Sequence, residues 1–240
     1  MVDPKEGHIV KRFDEEMQEL HDMVLKAGGL VRDQIRRAVR TLQDEDANAA
    51  RSVIARDSKV NAVDNQVESA IEQILARRQP MASDLREIIS IGKIIGDLER
   101  VGDEAIKIAR LTIHFFETDS SAPNYQLLQG MSGTARLVER MLQESLDAFD
   151  QRDVKKACEV IRLDMELDGE FRTSLRHLMT FVLEDARTIG HFIDVVLGVR
   201  ALERIGGHAK NIGGRVIYVA TGLDVRHEDY ENIIQELGLT

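Results

Sequence analysis

The 240-residue chain carries 42 Asp and Glu against 32 Lys and Arg, a net charge of -10. That balance argues against a phosphate-backbone binder, which needs a basic face, and against docking on anionic lipid, and suits metal cations or basic protein surfaces. Hydrophobic residues reach 43% with aromatics at 4% and no Trp, so a sizeable core is available and has to be aliphatic.

Only three prolines occur, at 4, 80 and 123, which leaves long stretches free for helix. No apolar run opens the chain between Met1 and Lys11, so no secretory signal is expected. No stretch approaches the ~20 apolar residues of a bilayer span. The single cysteine, Cys158, rules out an intramolecular disulfide and fits a reducing cytoplasm, and its apolar neighbours place it in a helix core.

Helical periodicity runs almost throughout. A first helix is predicted over about residues 9–43, with Phe13, Met17, Leu20, Val24, Val31, Ile35 and Leu42 on one face. Gly28-Gly29 within it implies either a kink or a close neighbour. A second helix covers 46–78 and ends before Pro80. A third starts at Ser83 or Asp84 and runs to about Glu117. The polar stretch Thr118–Asn124 reads as the linker. Three more helices follow, at 125–151, 153–184 and 187–221, with a short amphipathic tail at 228–237.

The two halves repeat. Asp46, Ala50, Val53, Ile54 and Asp57 match Asp153, Ala157, Val160, Ile161 and Asp164 at one constant offset. Leu98-Glu-Arg-Val-Gly-Asp-Glu-Ala105 matches Leu202-Glu-Arg-Ile-Gly-Gly-His-Ala209 in five of eight positions. The expected fold is all-α, a tandem repeat of two antiparallel three-helix bundles, divided as residues 1–120 and 121–240.

Acids break the apolar stripes. Asp57 and Asp64 occupy stripe positions of the second helix, and Asp164 interrupts the matching stripe, with Asp168 one turn on. Glu99 and Asp103 flank the third stripe at i, i+4, and Glu203 with Gly207 stands at the equivalent place. Carboxylates among core positions need a cation or a paired base. Converging acids from two helices make an all-oxygen site suited to hard cations, and redox-active iron accepts such ligands. Solvated acidic pairs are the bland alternative. A second alternative is a metal-free scaffold in which Arg100 and Arg204 neutralise the acids. A ferritin-like di-iron enzyme is disfavoured, because none of the seven His has Glu three residues before it. Neither a phosphate-cradling Gly-rich loop nor a G-x-S-x-G elbow is present.

Leu98-Glu-Arg-Val-Gly-Asp103, Leu202-Glu-Arg-Ile-Gly-Gly-His-Ala-Lys-Asn-Ile212 and Val219-Ala-Thr-Gly-Leu-Asp-Val-Arg-His227 resemble the PhoU family, accessory proteins of phosphate-specific transport. Phe13-Asp-Glu-Glu16, Gly28-Gly-Leu-Val31 and Arg78-Gln-Pro-Met-Ala-Ser-Asp-Leu-Arg86 add to the likeness, which covers residues 8 to 227. The resemblance implies a cytoplasmic negative regulator of the phosphate-starvation response and of high-affinity phosphate uptake, not an enzyme. It implies an adaptor between the phosphate ABC transporter ATPase and a sensor histidine kinase, and a homodimer; the acidic balance speaks against contact with nucleic acid. The family's paired acidic motifs can hold a multinuclear cluster of Fe, Zn, Mn or Mg in each bundle, and a site that has lost one acid is expected to bind metal more weakly, the second bundle's above all. The ligands carried over are Asp57, Glu99 and Asp103 in the first half and Asp164, Asp168 and Glu203 in the second. Asn61 and Gly207 stand where the family has acids, and Glu104 where it often has His. Asp64 and His208 are candidate substitutes.

Overall fold

A computed structural model describes residues 4–118, 125–184, 188–226 and 228–239. Helix α1 (Pro4–Gln43) buries Leu20, Val24, Ala27, Val31, Ile35, Ala38 and Leu42, every third or fourth residue along one face. It runs unbroken through Gly28-Gly29. The reason for Gly28 is a close approach: a Cβ there would lie 2.5 Å from Leu146 Cδ2, whereas Gly29 has nothing within 4 Å.

The chain enters α2 (Ala47–Arg56) through a tight turn. Glu45 takes the left-handed conformation, φ 56°. The Asp46 N–H reaches back to Thr41 O at 3.0 Å, and the Asp46 carboxylate caps the Ala49 N–H at 2.9 Å. The same turn joins α5 (Tyr125–Gln151) to α6 (Val154–Glu184). There Arg152 has φ 51°, Asp153 N–H reaches Ala148 O at 2.9 Å, and the Asp153 carboxylate caps Lys155 and Lys156. A left-handed residue followed by a six-to-one hydrogen bond satisfies the last carbonyls of the preceding helix. The aspartate then opens the next helix. Residues repeated in sequence therefore fold into repeated geometry.

The expected single helix over 46–78 is divided at Asp57 into α2 and α3 (Ser58–Arg78). Asp57 keeps helical dihedrals, but its N–H bonds three residues back, to Ile54 O at 3.3 Å. The matching Asp164 lies inside an unbroken α6. Helix α4 (Ser83–Ile113) starts without a side-chain cap bond and ends in a π turn, His114–Thr118, rather than continuing as α-helix to Glu117. Beyond Thr118 the expected linker, and with it the boundary between residues 120 and 121, lies outside the described residues, as does the expected start of the last long helix at Arg187. Helix α7 (Ile189–Thr221) ends at Gly222, whose φ of 81° suits glycine and whose Cβ, if present, would meet Arg86 Nη1 at 2.7 Å. Helix α8 (Tyr230–Glu236) lies on α6 through buried Ile233.

Helices α1, α2–α3 and α4 pack as one bundle, and α5, α6 and α7 as a second. The bundles meet along α4 against α7 and α1 against α5. The α4–α7 crossing is antiparallel: Arg86 lies over the Tyr218 ring, Glu104 faces Arg204, and Leu111 packs where Gly198 leaves room. One apolar cluster runs through both bundles. The α4 stripe of Ile91, Ile94, Leu98, Val101, Ala105 and Ile108 lies at its centre. Each fully buried aliphatic side chain there contributes about 1.5–3 kcal/mol. Among the described residues there is no strand, and no helix is long and apolar enough to cross a membrane.

Candidate functional site

In the first bundle the break at Asp57 sets its carboxylate beneath Gly102 of α4, where a Cβ would stand 3.1 Å from Oδ1. Gln34 Nε2 donates to Asp57 Oδ1 at 3.2 Å, and Asn61 Nδ2 donates to Oδ2 at 3.1 Å. Asn61, at an expected ligand position, thus ties down an acid. Across from it, burial pushes the Glu99 carboxyl up, and the negative charges of Asp103, Asp64 and Asp57 push it further. Arg100 eases Glu99 least of these influences. Asp64 is likewise raised, first by burial and then by Glu68. Asp103 itself is exposed. The first-half residues Asp57, Glu99 and Asp103 therefore feel one another electrostatically, while both oxygens of Asp57 are already engaged by amides.

The second bundle is built differently. Lys210 Nζ donates to Asp164 Oδ2 at 2.7 Å, so a resident ammonium neutralises that acid. Asp168 is exposed, and Gly207 has open space around it and no donor atom. Glu203 stands 3.3 Å from Arg200 Nε, yet its buried Oε2 has no aligned hydrogen bond. Where Gln34 and Asp57 meet in the first bundle, Met141 and Leu167 crowd against Gly206 in the second. Among the described residues, no group of three or more His, Cys, Asp and Glu side chains is placed to hold a metal ion.

The buried acids lie elsewhere, at the α4–α7 seam. Asp97 is 5% exposed; His208 Nδ1 lies 2.9 Å from its Oδ1, Asn211 Nδ2 donates to the same oxygen at 3.2 Å, and Arg100 stands 3.9 Å away. Glu104 is 3% exposed and takes Lys107 at 2.8 Å and Arg204 at 3.1 Å. Arg100 and Arg204 thus stand nearest Asp97 and Glu104, and of the acids flanking the third stripe Arg100 acts on Glu99. Glu104 and His208 hold equivalent positions in the two repeats, and each faces an acid or base of the opposite bundle. That pairing was the available signal; Asp97, set among Ile94, Ile95 and Leu98, was passed over.

Two antiparallel three-helix bundles, sharing one apolar core and joined across a seam where buried Asp97 and Glu104 meet His208 and Arg204, define a helical scaffold. The PhoU domain model matches residues 24–112 and 132–216, one match in each half, and the chain belongs to the PhoU family. It is 42% identical over 220 residues to the phosphate-specific transport system accessory protein PhoU homolog of Pseudomonas aeruginosa, covering 92% of this chain and 90% of that one. It is 36% identical over 220 residues to the Escherichia coli accessory protein PhoU, covering 92% and 90%. The crystal structure of PhoU from Pseudomonas aeruginosa superposes with a TM-score of 0.83 at 40% identity, over 88% of this chain and all of that one. The phosphate transport system regulatory protein PhoU from Streptococcus pneumoniae gives 0.79 at 27% identity, over 89% and 99%.

Proposed function

We propose that this protein is a cytoplasmic regulator of phosphate homeostasis that works by binding other proteins, not by catalysis. It restrains high-affinity phosphate uptake and the starvation response when phosphate is plentiful. It does so as an adaptor between the ATPase of the phosphate ABC transporter and the cytoplasmic domain of a sensor histidine kinase, and it self-associates as a dimer. The observation that carries this reading is the likeness, over 92% of the chain, to proteins named as accessories of phosphate-specific transport.

The scaffold supports it. Helices of 31 and 33 residues, α4 and α7, share a continuous core and offer long faces to partners. The reading needs no resident metal. The Lys210 ammonium on Asp164 and the amides on Asp57 satisfy acids that a cluster would otherwise require. Purified transporter ATPase and kinase cytoplasmic domain from the same organism, each immobilised, test the reading directly. Retention of the chain by at least one supports it, and retention by neither overturns it. Light scattering reads the dimer.

A further inference from the structure

Helix α7 presents one long face that stays exposed among the described residues. Ile189, Ile193 and Leu197 are 54%, 53% and 62% exposed, three large apolar side chains at i, i+4 spacing. Arg200 and Arg204 continue the same face; at about 100° per residue all five lie within roughly 80° of arc. The face is therefore apolar along its first half and basic along its second. Its sixteen residues rise about 1.5 Å each, giving a track of roughly 24 Å.

The basic half opens into a groove of about 420 Å³ between α7 and α4. Lys107 and Arg110 line it from α4, and Arg200 and Arg204 from α7; the lining acids are Glu104 and Asp194, and Glu203 stands 3.3 Å from Arg200, so cations exceed acids by one. Glu104 is buried and already saturated by Lys107 and Arg204. Arg110 is exposed and has no ion-pair or hydrogen-bond partner among the described residues. A cationic groove on a chain of net charge -10 is a local inversion of sign, and electrostatic complementarity selects an acidic partner for it.

We propose that this track is the docking surface for an acidic amphipathic helix of a partner protein, with apolar anchors against Ile193 and Leu197 and carboxylates toward Arg110. This is helix-in-groove recognition, in which apolar anchors recur every three or four residues and charge sets direction. The inference rests on the adaptor reading and adds to it the surface used. Both bundles contribute to the groove, so it exists only while the seam between them is closed.

The probe is a fluorescein-labelled sixteen-residue synthetic helix with Leu on one edge and Glu beyond it; the control replaces each Glu with Lys. Anisotropy should show the full-length protein binding the acidic peptide at least about tenfold more tightly than the basic one. Ile193→Asp with Leu197→Asp, and separately Arg110→Glu, should each remove about tenfold of that affinity, with helix content and melting temperature unchanged. Equal binding of both peptides, no binding of either, or indifference to the substitutions overturns the inference. So does a shift from dimer to monomer in Leu197→Asp, which would assign the track to a second copy. Loss of binding to phosphatidylglycerol vesicles in Arg110→Glu would likewise assign it to lipid. Peptide binding alongside retention by neither purified partner would sink the adaptor reading alone.

Discussion

His208 Nδ1 lies 2.9 Å from Asp97 Oδ1 across the seam between the bundles, with 14% and 8% of the two side chains exposed. A buried carboxylate that loses its closest partner stays desolvated and poorly compensated, which costs about 3–5 kcal/mol. Asn211 and the more distant Arg100 retain part of the compensation, so His208→Ala should cost about 2–3 kcal/mol in urea unfolding. His208→Ala combined with Asp97→Leu should recover part of that loss, because no orphaned charge remains. A His208→Ala variant as stable as the parent would show that the pair contributes nothing to holding the bundles together.

The raised carboxyls of the first bundle predict a pH effect with a definite sign. The Glu99 pKa is lifted above its ordinary value, so the folded state binds a proton more readily than the unfolded one. The charged Glu99 therefore weighs against folding above its raised pKa, and the burden lifts as pH falls from that pKa to the ordinary carboxylate value. Glu99→Gln should raise the melting temperature at pH 7, with the gain disappearing by about pH 4. A gain that persists unchanged at acidic pH would assign it to packing, not to charge.

Two helix glycines should respond to alanine in opposite directions. A Cβ at Gly213 would stand 3.1 Å from the backbone oxygen of Ala157, so α6 would have to move, at about 1–3 kcal/mol. Gly169 is exposed within α6 and has nothing within 4 Å, so alanine there should stabilise by about 0.5–1 kcal/mol through better helix propensity. Chemical denaturation of the two variants beside the parent checks both signs.

The chain as purified should carry no stoichiometric metal, and a chelator should leave its melting temperature where it was. Replacing Lys210 with Ala frees Asp164 but supplies no further ligand. Adding Gly207→Asp, for which there is open space, brings a fourth acid. Only the double variant should acquire Mn or Zn after dialysis against the metal, measured by plasma mass spectrometry. Stoichiometric metal in the parent would mean that the acids rearrange around a cation.

Cys158 is 2% exposed, and burial pushes its thiol up, so little reactive thiolate is available in the folded chain. Its modification by an aromatic disulfide should be slow and should accelerate in step with urea unfolding. Rapid labelling of the native protein would show that the start of α6 opens locally.

The helices were legible because the apolar spacing that defines them is local. Ile91, Ile94, Leu98, Val101, Ala105 and Ile108 are all at most 1% exposed, as their three- and four-residue steps require. The repeat was legible for the same reason, down to the paired caps Asp46 and Asp153. What spacing could not show is where the polar groups find partners. Asp97 meets His208 across 111 positions, and Asp164 meets Lys210 across 46. Asp57 and Asp164 look alike in sequence, yet only Asp57 sits at a helix break, held by Gln34 from 23 positions away. Each of these fates is decided by a neighbour in space, so the site residues were found as acids in odd places without the pairings that explain them.

The apolar cluster that passes without interruption from one bundle to the other makes the duplicated chain a single mechanical piece. A chain of two beads on a string could let one bead be seized while the other tumbled freely. Here α4 and α7 bury their apolar faces in the same cluster, so unfolding of either bundle would expose part of the other's core. Duplication has produced not two separate cores but one, shared along the length of α4 and α7.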